Sequence, residues 1–244
     1  NQWRVVEYEY DRAVAVPGSN DTGRDPHVPR RTITRLLGQE VERSYVVLLT
    51  DERWDIRCVT TNAAWNATDN LVTTNRTYPE GHAFQGKLKS VDHPDGTRQV
   101  YFYSTNATEI TMTVLSGQAD LANATNILQG TRTVRVFGNT GQPVSTATYD
   151  KASGILLDSA FYSNFDSYNR PQKTVYLDGS TNQVEYACCG PDYTIDRDGT
   201  LTQFFYDALG RQVATMRLGV TTTNILDAAG NVLMVKRIGT DLSE

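Results

Sequence analysis

Within Asp92-His93-Pro94-Asp95-Gly96-Thr97-Arg98 lie a histidine, two carboxylates and an arginine. His93 in that company has the chemistry of a general base or a metal ligand. Tyr101 and Tyr103 follow at a two-residue spacing, which puts them on one face of a strand. His93, Arg98, Tyr101 and Tyr103 together define a set of the kind a polysaccharide lyase uses, with residues scattered over a sheet and no local signature. The competing reading is a proline-containing hairpin with solvated polar tips, and the residue types favour it. The other histidines, His27 and His82, have no partner at ligand spacing, and no H-E-x-x-H occurs. No G-x-S-x-G elbow, P-loop or G-x-G-x-x-G is present, so nucleophilic hydrolysis and nucleotide binding lack a motif. We expect no catalytic residue, no metal and no cofactor, with the His93 set as the low-ranked alternative.

The cysteines are Cys58, Cys188 and Cys189. An odd count without C-x-x-C spacing is neither a disulfide framework nor a zinc site. Free thiols are the favoured reading, with a vicinal Cys188–Cys189 disulfide or a bridge to Cys58 as alternatives. Five N-x-T triplets start at Asn20, Asn66, Asn75, Asn106 and Asn123. A chain this rich in Asn and Thr yields roughly three by chance, so they do not establish glycosylation.

The chain has 244 residues, 39% hydrophobic and 21% charged, enough for a sizeable core. The net charge of −5 argues against nucleic acid or anionic membrane as unaided partners. No apolar run is long enough to span a bilayer.

Repetition organises the rest. DGTRQVYFY at 95–103, DGSTNQVEY at 178–186 and DGTLTQFFY at 198–206 share one plan. Each opens with Asp-Gly (Asp95-Gly96, Asp178-Gly179, Asp198-Gly199) and places Tyr103, Tyr186 or Tyr206 seven residues after the Gly. Asp-Gly supplies the positive φ of a tight turn, so each unit reads as a β-hairpin. A second element reads aromatic or apolar residue, Asp, two residues, Gly or Asn, then Arg or another polar residue. FYDALGR carries Asp207 and Gly210, NFDSYNR carries Asp166 and Asn169, and ILDAAGN carries Asp227 and Gly230. TYDKASG carries Asp150 and Gly154 with one extra residue, and VFGNTGQ has Gly138 where Asp is expected. A catalytic role for Asp207 would have to explain all its counterparts, so the recurring residues read as turns. The regularly spaced tyrosines read as packing groups before they read as a sugar-stacking surface.

The amino-terminal part is less regular. VEYEYD at 6–11 and residues 44–61 read as strands, 17–30 as a loop, and 62–82 shows weak periodicity. ADLANATNILQG at 119–130 is the best short-helix candidate, ending at Gly130. No linker divides the chain. We therefore expect one all-β domain over 1–244, with irregular strands and loops over 1–85 and repeats over 86–244.

These elements resemble the YD repeat, also called the RHS repeat, above all in Tyr206-Asp207-Ala208-Leu209-Gly210-Arg211. The likeness covers residues 86–240 well. It implies antiparallel hairpins in a curled, shell-like sheet or open barrel, serving as a noncatalytic shell segment or extracellular scaffold. Bacterial members of that family enclose a toxic cargo, and teneurins use a similar shell in cell adhesion. The family's processing segment has no match here. Asp25-Pro26 is the sole Asp-Pro pair and lacks flanking glycines, so autoproteolysis is not expected, nor is a cargo toxin after Leu242. Expected partners are other parts of a longer repeat protein or another chain, with glycans as the alternative, at the cell surface or outside the cell. The edge strands of so short an array are expected to be capped by the amino-terminal segment or by another chain.

Overall fold

The computed structural model describes residues 3–11, 21–22, 25–59 and 67–240. The described residues contain strands and turns and no helix, so none is long and apolar enough to cross a membrane. The all-β, antiparallel hairpin class expected from the repeats is what the backbone adopts. The chain forms two compact units.

Unit 1 comprises residues 1–104, 112–133 and 149–155. Its strands include β1 (Arg4–Glu9), β2 (Arg31–Leu36), β3 (Gln39–Leu48), β4 (Arg53–Val59), β5 (Leu71–Thr77), β6 (Leu88–Asp92) and β7 (Thr97–Thr105). Each pairs antiparallel with the next. The long strands β8 (Glu109–Ala119) and β9 (Ile127–Gly138) and the strand β10 (Pro143–Asp150) contribute segments to both units.

The segment 1–85 was expected to hold irregular strands and loops. Its described residues form five regular strands, and a buried hydrophobic cluster sits on two of them. Tyr45, Val47, Ile56 and Cys58 are buried together on β3 and β4, with Leu49, Trp54 and Val72 against them. The turns between these strands carry no Asp-Gly. The β2–β3 turn is Leu37-Gly38, both at positive φ, and β5 is built of Thr, Asn and Arg with little apolar alternation. Residues 21–22 and 25–30 are not strand, in keeping with a loop, whereas 12–20, 23–24 and 60–66 lie outside the described residues. A buried ion pair anchors that loop. Arg30 Nε lies 2.9 Å from Asp21 Oδ2, and Arg30 donates to the carbonyls of Val28 and Asp25. Asp21 also accepts from the Leu48 amide at 3.1 Å.

The helix expected over 119–130 is not there. Residue 119 ends β8, and β9 starts at Ile127. Between them, Asp120 Oδ1 accepts the amides of Ala122 and Asn123, and Asn123 Oδ1 accepts that of Thr125. These side chains capture the N–H groups a helix would have needed, which is the general reason Asp and Asn disfavour helix interiors. Gly130 lies in β9 at φ 138°, its backbone pressed against Gly117 of β8.

Unit 2 comprises residues 105–111, 134–148 and 156–244. After residue 155 it is a meander of β11 (Leu156–Phe165), β12 (Pro171–Tyr176), β13 (Thr181–Tyr186), β14 (Pro191–Ile195), β15 (Leu201–Tyr206), β16 (Gln212–Arg217), β17 (Val220–Leu226) and β18 (Val232–Ile238). Every pair is antiparallel between sequence neighbours. The buried large hydrophobic residues all lie in unit 1.

Candidate functional site: a row of lashed turns

Because the unit 2 strands alternate in direction, its turns fall into two groups at opposite strand ends. One group links β11–β12, β13–β14, β15–β16 and β17–β18, and in it lie the Y-D elements. In the turn from Asp207, Oδ1 accepts the amides of Leu209 and Arg211, both at 2.9 Å, while Oδ2 accepts from Arg211 Nε at 2.7 Å. The turn from Asp166 repeats this with Tyr168 and Arg170, again at 2.9, 2.9 and 2.7 Å. The turn from Asp227 repeats it with Ala229 and Asn231, the Asn231 side-chain amide taking the place of the guanidinium. In all three the residue three positions after the Asp donates its N–H to the Asp carbonyl and has positive φ: Asn169 at 61°, Gly210 at 75°, Gly230 at 90°. The final residue, Arg or Asn, is thus part of the lash. The repeat pattern marks that place as Arg or another polar residue without giving it a partner.

The Asp150 turn accommodates its extra residue by using Ser153. Asp150 Oδ1 accepts both its amide and its hydroxyl, and Gly154 at φ 72° closes the turn. At Gly138 the backbone bonds persist without the carboxylate, from Gly138 N to Gln142 O and from Gly141 N to Gly138 O.

The Asp-Gly hairpins use a shorter version. Asp95 Oδ1 accepts the Thr97 amide and hydroxyl, and Asp178 Oδ1 accepts those of Ser180. Asp198 Oδ1 accepts the Thr200 amide. Gly96, Gly179 and Gly199 lie at φ 79–81°. The Ser180 hydroxyl and amide, with Arg197 beside them, hold the Asp178 carboxyl down at about 2. The Arg211 amide and guanidinium hold Asp207 below its ordinary range. The same Asx geometry explains two N-x-T triplets. Asn106 and Asn123 each accept the amide and hydroxyl of the Thr two residues on. Asn75 is in β5, and Asn20 and Asn66 lie outside the described residues.

Neighbouring turns are tied together. Arg211 Nη1 donates to the Asp227 carbonyl at 2.9 Å. At the opposite strand ends Arg197 pairs with Asp178, and Arg217 with Asp196, each at 2.6 Å. Tyrosine faces along the row are covered by cations: Arg170 lies 3.8 Å over Tyr186, and Arg197 lies 4.3 Å over Tyr176. A sugar ring would have to displace a guanidinium to stack there.

Cys188 and Cys189 are joined as a vicinal disulfide, correcting the expectation of free thiols. Cys58 is not part of a disulfide and is buried, at 2% exposure, and burial pushes its thiol up.

The His93 set is divided. Tyr101 and Tyr103 share one face of β7, while Arg98, Val100 and Phe102 alternate onto the other. Arg98 is buried. It pairs with Asp92 and donates to the carbonyls of Asp120 and Asn123, fixing the turn that replaces the expected helix. Tyr101 donates to Gln99 at 2.6 Å. Tyr103 packs 5.4 Å from Phe84 with Lys87 over its ring, and burial raises its phenol above the ordinary range, the wrong direction for a base. His93 sits in the β6–β7 turn, its backbone bonded to Thr97 and Gly96.

No family model matches the chain, and no curated protein matches it. Among solved structures it is similar to TcdB2-TccC3, at 11% identity and a TM-score of 0.40, over 90% of this chain and 16% of that one. It is similarly related to TcdB2-TccC3 without its hypervariable C-terminal region, at 11% identity and a TM-score of 0.40, over 87% of this chain. The chain thus spans about a sixth of the length of the structures it matches, 16% and 15%.

Proposed function

We propose that the chain is a noncatalytic structural module of the RHS/YD type, a segment of a larger shell or of an extracellular scaffold. The observation that carries this reading is the turn row. Three turns repeat one hydrogen-bond set at equivalent places in three of the four hairpins of one row, and ties between turns run at both strand ends. Chemistry that recurs from hairpin to hairpin builds an array; it does not single out one reaction centre. Partners are other repeats of a longer protein or another chain. Within unit 2, β18 pairs only with β17, and Val232, Leu233, Met234 and Val235 are each more than half exposed. Apolar residues in sequence on a terminal strand suit an added strand. An exposed disulfide suits an oxidising location, at the cell surface or outside the cell.

The test is the association state of the purified chain by light scattering. Wild type associates, and Leu233→Lys with Val235→Lys restores a monomer. A monodisperse wild-type monomer would remove the added-strand reading. Release of unsaturated products from uronate polysaccharides, lost in His93→Ala, would replace the noncatalytic reading with the lyase.

A further inference from the structure

We propose that the Cys188–Cys189 disulfide is a reducible latch at a position where the other hairpins of the row use an Asp lash, and that a dithiol reductant opens it. The placement comes first. Tyr186 pairs with Pro191, Tyr206 with Gln212 and Leu226 with Val232, and in each hairpin the register steps by one residue at that point. The β13–β14 hairpin therefore belongs to the same series as its two successors. Its turn, Ala187-Cys188-Cys189-Gly190, stands where Asp207–Arg211 and Asp227–Asn231 stand in theirs.

The difference lies in what closes it. The sister turns have a carboxylate gathering two amides and a side chain. This one has the backbone bond from Ala187 N to Gly190 O, at 2.8 Å, and the disulfide. It contains no Asp, Asn, Ser or Thr to take over once the sulfurs part.

Access and selectivity follow from burial. Both half-cystines are exposed, whereas Cys58 is sealed in the unit 1 core. The turn is also coupled to its neighbours. A Cβ on Gly210 would lie 3.3 Å from Cys189 Sγ, so the disulfide packs on the next lashed turn. Tyr206 donates its hydroxyl to the Pro191 carbonyl at 2.9 Å, and Arg170 of the preceding turn covers Tyr186.

The step balances as thiol–disulfide exchange. A thiolate of the external dithiol attacks one sulfur of the pair, the S–S bond breaks, and the other cysteine leaves as thiolate. The dithiol's second sulfur then displaces the first cysteine from the mixed disulfide. Cys188 and Cys189 gain two electrons and two protons, and the reductant leaves as its own disulfide.

The experiment is hydrogen exchange by mass spectrometry on the full chain, oxidised and after millimolar dithiothreitol, with alkylation to locate thiols. Reduction is expected to expose Cys188 and Cys189 to alkylation and leave Cys58 unlabelled. Amides over 184–195 should exchange about tenfold faster, while those of β3 and β4 keep their rate. Cys188→Ala with Cys189→Ala should match the reduced rate with or without reductant. Alkylation of Cys188 or Cys189 in the untreated chain would overturn the proposal. So would a disulfide that resists the dithiol, or equal exchange over 184–195 in the oxidised, reduced and alanine forms.

Discussion

Asp207 organises its turn with two oxygens doing different work. Oδ1 takes two backbone amides that would otherwise compete for water, and Oδ2 takes Arg211. The expected effect of Asp207→Ala is local, because the bonds its carboxylate makes all lie within its own turn. Exchange of the Leu209 and Arg211 amides should accelerate about tenfold, while β12–β13 amides are unchanged. Equal acceleration across unit 2 would show that the lash acts through global stability instead. Asp178 supplies a pH prediction of the same kind. Its carboxyl is held down from 3.8 to about 2, so its stabilising contribution is complete above the ordinary value and is lost as pH falls through the lower one. A carboxylate NMR titration should give Asp178 a midpoint near that depressed value. Arg197→Ala should raise the midpoint only partly, since the Ser180 hydroxyl is the leading cause.

At the scale of the element, two hairpins turn on Leu-Gly. Leu37 has φ 50° and Leu218 has φ 51°, followed by Gly38 at 82° and Gly219 at 77°. A leucine there is strained by its Cβ, and both side chains are about three-quarters exposed, at 73% and 75%. Leu218→Asn should therefore stabilise by about 0.5–1 kcal/mol, because Asn tolerates the left-handed region. Thermal unfolding checks this, and a loss of stability would mean that the exposed leucine is held for a contact. These turns also mark the limit of what the sequence could be made to say. Hairpins at Asp95, Asp178 and Asp198 and turns at Asp166, Asp207 and Asp227 were legible because Asp and Gly there leave a distinctive trace. The Leu-Gly turns leave none, so the strands of residues 1–85 were underestimated. The segment 119–130 was misread because helix-compatible Ala and Leu sit among Asp and Asn side chains that bind their own backbone. The Arg of the lash and the vicinal disulfide were visible as residues but not as bonds, since a bond depends on where a turn sets two side chains.

For the molecule as a whole, the two units hold together by different means. Unit 1 has a core in which Val47 and Ile56 are at 0% and 1% exposure, whereas none of the buried large hydrophobic residues belongs to unit 2. Unit 2 is carried by its ladders, lashed turns and cation–aromatic stacks, so truncating one apolar side chain there removes little that was sheltered from water. Ile56→Ala should cost about 2–5 kcal/mol, as expected for a buried aliphatic side chain. Phe205→Ala, at a residue 45% exposed, should cost less than about 1.5 kcal/mol. All three tryptophans lie within residues 1–104, so their fluorescence reports unit 1 during urea unfolding, and hydrogen exchange reports unit 2. Unit 2 amides should exchange faster than those of β3 and β4 in the isolated chain, and added repeats on β18 should slow them. An array stabilised by its neighbours behaves this way, because each hairpin's faces are completed by the next. If unit 2 amides proved as slow as those of β3 and β4 in the isolated chain, the module would be self-sufficient and the case for a larger assembly would lose its physical basis.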